Sequence, residues 1–260
     1  MEKKYRLQDN ETIRIGGRTM YRIYALRDFD NIKKGDKGGY IEKESNLSHK
    51  GICWIYGRAV VFGNAVVCGN AEVCDNAEVC GSAVVCDNAE VFGNANVFGK
   101  AEVYNNAKIY GNAKVYINAK VCGYAVVCDN AEIFGRATVY DNAKVYGNAV
   151  VHDNVKVCGN AKVCGCSVVH GDAVVRGNAI VREKIDYFVS KNIWSSGRYF
   201  TYTHSNKMWS VGCFHGTGEE LIKKAHKDSE VSGREYERIV RYVEEMYNDL
   251  EKDRRKNKKL

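Results

Sequence analysis

From Ala59 to Val181 one six-residue phrase recurs twenty-one times without an insertion: small, variable, Val/Ile, Cys/aromatic, Gly/Asp, Asn. The small slot is Ala at nineteen of those twenty-one places, with Val155 and Ser167 as the exceptions, and the branched slot is Val or Ile throughout. A period this strict, in units too short to bury an apolar face alone, restricts the chain to a solenoid of stacked coils.

Within a hexad such as Ala143 to Asn148, alternation along a short strand turns Ala143 and Val145 to one side and Lys144 and Tyr146 to the other. The Ala and Val slots face inward. Gly or Asp followed by Asn forms the corner, because these residues tolerate the positive φ of a tight bend. The phrase resembles the hexapeptide repeat of left-handed parallel β-helix proteins, in which three hexads close one triangular coil of eighteen residues. That resemblance implies a mainly β fold: a left-handed parallel β-helix of about seven coils over residues 47–183, roughly 35 Å long. A further irregular coil is expected over Leu47 to Arg58. A small N-terminal β cap (residues 1–46) and a C-terminal α+β domain with a basic tail (184–260) complete the expected organisation.

An eighteen-residue coil stacks the outward Cys/aromatic slot into three columns. The first runs Phe62, Cys80, Phe98, Tyr116, Phe134, His152, His170; the second Cys68, Cys86, Tyr104, Cys122, Tyr140, Cys158, Arg176; the third Cys74, Phe92, Tyr110, Cys128, Tyr146, Cys164, Arg182. The same stacking sets Glu90 beside Lys108, Glu102 beside Lys120 and Lys114 beside Glu132, and aligns Asn70, Asn88 and Asn106 for amide ladders. A lone soluble monomer rarely leaves three such columns bare. Phe62, Phe98, Tyr116, Phe134, Tyr104, Tyr110, Tyr140 and Tyr146 are therefore the expected oligomer contacts. Proteins of the resembled family pack side by side as trimers, so a homotrimer is the favoured partner state.

The formal charge of +7 sits at the ends: residues 59–183 carry 10 basic and 12 acidic groups, against 13 and 8 before them and 16 and 12 after. A nucleic acid lying along the β-helix would call for a basic stripe, which is missing. The Cys total, eleven, is odd, and most fall at hexad spacings, which points to free thiols in a reducing compartment rather than a disulfide framework. Met1 to Arg6 is charged and no apolar stretch follows it, so neither export nor membrane insertion is expected, and the expected location is the cytoplasm of a bacterial host cell.

Thr12–Ile15 and Thr19–Leu26 around Gly16 and Gly17 predict a β-hairpin. Beyond the repeat, strands are expected at Ile185–Val189, Tyr199–Thr203 and Met208–Phe214. Thr217 with Glu220 predicts a capping box for a helix over 218–226, and a second helix is expected over 233–253 with Ile239, Val240, Val243, Met246, Tyr247 and Leu250 inward. The stretch Arg27 to Tyr56, with Gly38, Gly39 and Cys53 Trp54 Ile55 Tyr56, resembles the lead-in of bacterial and phage hexapeptide-repeat proteins assigned as acyltransferases. The segment Val211 to Leu221, with the Tyr236 helix, is similar to a small C-terminal domain of phage and prophage proteins.

That family includes acyltransferases, which would require a catalytic His at a subunit boundary, acetyl-CoA as cofactor and loops that shape an acceptor site. His152 and His170 are the candidates for such a base, yet no loop interrupts the hexads. For a metal, Cys158, Cys164 and Cys166 with His152 and His170 are the richest set, but different faces separate Cys158 from Cys164, so no metal site is assigned. Trp194, Arg198, Tyr202, Lys207, Trp209 and His215 offer aromatic and cationic groups suited to a protein hot spot or a small nucleotide-type ligand. The expected function is a non-enzymatic, oligomeric binding or scaffold protein of phage or prophage origin, without a cofactor. Its narrower form is an anti-defence protein that sequesters a host protein or a nucleotide-type signal. The alternative is an acetyl-CoA-dependent acyltransferase.

Overall fold

A computed structural model describes residues 2–194 and 196–257. Two-residue strands recur every six residues from β4 (Trp54–Ile55) to β25 (Ile180–Val181), each pairing in parallel with the strand eighteen residues away. They form three sheets, the faces of a triangular prism. Face 1 contains Val60–Val61 and its eighteen-residue repeats, face 2 Val66–Val67 and its repeats, and face 3 Trp54–Ile55 and its repeats. Edges 1, 2 and 3 follow the faces of the same number.

The interior is what the small and branched slots dictate. Every Ala and Val or Ile of these slots, from Ala59 to Val181, is fully buried, as is Ser167, whose hydroxyl donates to the Cys164 carbonyl. Corners adopt the left-handed backbone that the Gly/Asp slot anticipates, with Asp75, Asp87, Asp129, Asp141 and Asp153 at φ of 58–61° and Gly at most of the other turns. Asp tolerates this region because its carboxylate is used locally: those of Asp75, Asp129, Asp141 and Asp153 accept the backbone N–H eighteen residues on at 2.9–3.0 Å.

The first coil begins earlier than the sequence suggests. Strand β3 (Lys37–Ile41) pairs in parallel with Val60–Val61, Leu47 bridges to Val67 and β4 pairs with Glu72–Val73, so the irregular coil spans all three faces. This places about eight coils in the prism and moves a segment assigned to the cap into the β-helix. The hairpin β1 (Tyr5–Ile15) and β2 (Arg18–Ala25) turns at Gly16 and Gly17 as predicted and adds to β3 antiparallel, extending the sheet of face 1. Close backbone approach explains Gly39, where a Cβ would lie 2.5 Å from the Ala59 carbonyl oxygen. Lys4 closes this end, fully buried, with Nζ donating to the Cys53 carbonyl at 2.7 Å.

At the other end an antiparallel sheet, β26 (Tyr187–Lys191), β27 (Tyr199–Thr203), β28 (Met208–Val211) and β29 (Phe214–Gly216), packs against helices α1 (Gly218–Asp228) and α2 (Glu230–Asn257). The single strand predicted over 208–214 is a hairpin, because Gly212 takes a positive φ of 57°. Residues 184–186 form a short 3-10 turn rather than the start of a strand. The capping box of α1 is present: Thr217 Oγ1 accepts from Glu220 N and Glu220 Oε2 accepts from Thr217 N. Val240, Val243 and Tyr247 are buried as expected, Ile239 and Met246 are partly buried, and Leu250 is exposed. Among the described residues no helix is long and apolar enough to cross a membrane.

The terminal sheet and its β27–β28 turn replace the missing coil by offering one hydroxyl per face. Tyr187 donates to the Val168 carbonyl on face 1 at 3.1 Å, Thr201 Oγ1 accepts from Val174 N on face 2 at 2.9 Å, and Ser205 Oγ accepts from Ile180 N on face 3 at 2.7 Å. Exposed strand edges invite further pairing, and these contacts close the edge that the solenoid leaves.

Candidate interaction surface

The surface is built on the Cys/aromatic slot, held outward by the strand that precedes it. On face 1, Phe98, Tyr116, Phe134 and His152 stack in near-parallel rings at 4.7, 4.9 and 4.9 Å, and His170 follows at 5.7 Å. On face 3 only Phe92 and Tyr110 stack as rings, at 4.8 Å. The eighteen-residue period thus sets the column, and coil spacing sets the ring spacing.

The eight aromatic residues expected at oligomer contacts are all half-buried. They are less bare than their sequence suggests, because neighbours in a column cover one another. Cys128, Cys158 and Cys164 are buried, each one coil along its column from Tyr110, Tyr140 and Tyr146. Burial pushes the Cys80 thiol up to about 11 and those of Cys74 and Cys86 up to about 12. The outward charges pair as expected: Glu90–Lys108 at 2.8 Å, Glu102–Lys120 at 2.7 Å and Lys114–Glu132 at 3.0 Å.

His152 has a partner that the linear sequence did not fix. Its Nδ1 lies 3.1 Å from Asp153 Oδ1, while Asp153 Oδ2 accepts from Gly171 N. The Gly171 N–H, and after it His152, holds the Asp153 carboxyl below the ordinary range. His170 ends the column edge-on to Tyr187 at 6.5 Å. Cys158 follows a face 2 strand and Cys164 a face 3 strand. Among the described residues no three His, Cys, Asp or Glu side chains are grouped to hold a metal ion.

The six candidates in the C-terminal domain separate. Trp209 and Tyr202 are 0% and 3% exposed, inside the core with Phe200, Val240, Val243 and Tyr247, where they support the sheet, and Tyr202 also borders the cleft that Lys207 lines. Trp194 packs on Phe200 and Tyr236 at 5.9 and 6.1 Å. Arg198 borders a cavity of about 30 Å³ with Phe214, Leu221 and Tyr236, room for little more than a water. Lys207 borders a separate open cleft with Thr217, Glu219 and Glu244. His215 is a junction post: Ser210 Oγ lies 3.2 Å from its Nδ1, and a Cβ on Gly177 would lie 2.9 Å from its Nε2. Burial, and then the Arg176 guanidinium, keeps His215 below the usual His range, so it sits neutral against edge 2.

Two surface features escaped the slot-by-slot reading. Ile117 occupies a Gly/Asp corner at φ 65° and is 45% exposed; Tyr124 occupies an Asn corner and is 65% exposed. Both were legible as departures from the hexad, but only the fold shows them flanking one strand, Lys120–Val121. No curated protein matches the chain. Residues 55–69 and 137–153 match the family model described as the YdcK Beta solenoid repeat, and with the stacked coils this makes the chain a β-helix repeat protein similar to that solenoid.

Proposed function

We propose that the protein is a non-enzymatic, oligomeric binding or scaffold protein, in which rigid prisms pack side by side, favourably as a trimer, and present their C-terminal domains to a protein partner. The observation that carries this reading is the continuous ring column from Phe98 to His170, half-exposed and ordered at 4.7–5.7 Å. A preorganised aromatic surface loses little conformational freedom on association, which is what a contact face requires. The cleft beside Lys207 carries Glu219 and Glu244, whose charges repel phosphates, so a protein is favoured over a nucleotide-type ligand. In its narrowest form the reading is an anti-defence protein of phage or prophage origin that sequesters a host protein. Light scattering on the purified protein tests it. A defined multimer at micromolar concentration is expected, and a clean monomer overturns the oligomeric scaffold.

One observation favours the acyltransferase alternative: His152 is oriented by Asp153, as a general base would be. Calorimetry with acetyl-CoA separates the two readings. The scaffold predicts no heat, whereas saturable heat that disappears in His152→Ala supports the enzyme.

A further inference from the structure

The corner rule is broken most sharply in a single coil. Ile117 is the one residue at Gly/Asp corners 63–177 that is neither Gly, Asp nor Asn. A β-branched residue in left-handed backbone costs about 1–2 kcal/mol, a strain that Gly would relieve. Seven residues on, Tyr124 interrupts the edge 2 amide ladder in which Asn70 donates to Asn88 and Asn88 to Asn106. Both departures place a large apolar side chain in solvent, on the two edges that bound face 2 at one level.

The neighbouring levels carry complementary charge. Edge 1 holds Lys100 one coil before Ile117 and Arg136 one coil after it, both exposed, and among the described residues neither has an ion-pair partner. Edge 2 at the same three levels holds Asn105, Tyr124 and Asp141, with Asp87 bound to Asn105 Nδ2 at 3.1 Å. The edges read cation, apolar, cation against acid-linked amide, aromatic, acid.

We propose that edge 1 of one copy docks against edge 2 of the next, prism axes parallel and coil level with coil, with Ile117 against Tyr124, Arg136 against Asp141, and Lys100 against Asn105 and Asp87. The contact rests on the oligomeric reading above and places its seam at the two edges of face 2, beside the face 1 ring column that Tyr116 joins to Ile117. It is head-to-tail, so each copy uses both edges, and with the coils level the assembly closes as a ring where the turn between copies divides a full circle. An antiparallel pair related by a twofold would set edge 1 on edge 1 and bring Lys100 and Arg136 of both copies together, which like charge opposes.

Sedimentation velocity across a concentration series tests the contact. Arg136→Asp sets like charges together and raises the midpoint concentration for dissociation about tenfold or more, and the double variant with Asp141→Asn, which keeps the left-handed corner and an acceptor for Gly159 N–H but removes that repulsion, returns it to within about threefold of the parent. Ile117→Gly and Tyr124→Asn also weaken assembly. Because they restore the corner residue and the amide rung, their thermal midpoints equal or exceed the parent's when both are dilute enough to be dissociated, so lost mass is not lost fold. Single variants that keep the parent mass, or a double variant without rescue, overturn the edge contact while leaving the scaffold reading standing. A parent that stays monomeric overturns both.

Discussion

At the residue scale, one period decides most side-chain environments, and it was readable because eighteen residues return each slot to the same column. The ring stack from Phe98 to His152 and the pairs Glu102–Lys120 and Lys114–Glu132 follow from position alone. The His152–Asp153 contact did not, since adjacent residues at a corner meet only when the turn aims both outward. Burial also divides eleven chemically identical thiols. Cys166 and Cys213 are exposed, whereas Cys74, Cys80 and Cys86 are held neutral at pH 7 by burial and by nearby carboxylates. Thiolate is the reactive species, so an aromatic disulfide reagent is expected to modify Cys166 and Cys213 quickly and Cys74, Cys80 and Cys86 only on unfolding. Mass spectrometry of timed digests reads the order, and rapid native labelling of Cys74 or Cys86 would contradict it.

At the scale of elements, the regular coils were legible and the ends only partly so. Strand β3 went unseen because Gly38 and Gly39 interrupt the apolar pattern, yet close approach to β2 and Ala59 requires small residues there. Tyr202 and Trp209 read as an aromatic surface, and the structure buries them because β27 and β28 turn one face onto α2, where Trp209 Nε1 donates to Glu244. The terminal sheet is predicted to hold the solenoid end through its hydroxyls. Thr201→Val keeps the shape but leaves Val174 N–H unpaired, which costs about 1–3 kcal/mol and should speed amide exchange at Val174 before exchange rises in the central coils. The same domain carries an alkaline limit. Burial, then the Glu244 and Glu251 carboxylates, pushes Tyr202 up to about 12 from 10.0. A raised phenol pKa contributes stability that is fully present below pH 10 and lost as pH climbs towards 12. Near-ultraviolet dichroism of the C-terminal aromatics should therefore fade in that window, together with the tyrosinate absorbance, and an unchanged signal to pH 12 would remove Tyr202 from the account.

At the scale of the whole molecule, each regular coil touches only its neighbours, so stability accrues nearly additively along the prism and length is a free variable within the period. Removing residues 84–101 joins Ala83 to Glu102 and replaces strand Val84–Val85 by Glu102–Val103, both on face 2, with every inward slot kept. The shortened chain is expected to unfold cooperatively in urea at a modestly lower midpoint, having lost one coil-to-coil interface. Ile109→Asp alters one fully buried side chain and is expected to do more harm. It places a carboxylate among Ala and Val, and among the described residues no cation is buried in the regular coils to answer it, so a cost above about 4 kcal/mol follows from stranding an unpaired charge. The comparison isolates what specifies this fold, because eighteen residues that respect the slots can be spared while one that violates them cannot. A shortened chain that fails to fold, beside an Ile109→Asp variant that folds normally, would show that particular side chains rather than the repeated slot pattern hold the prism together.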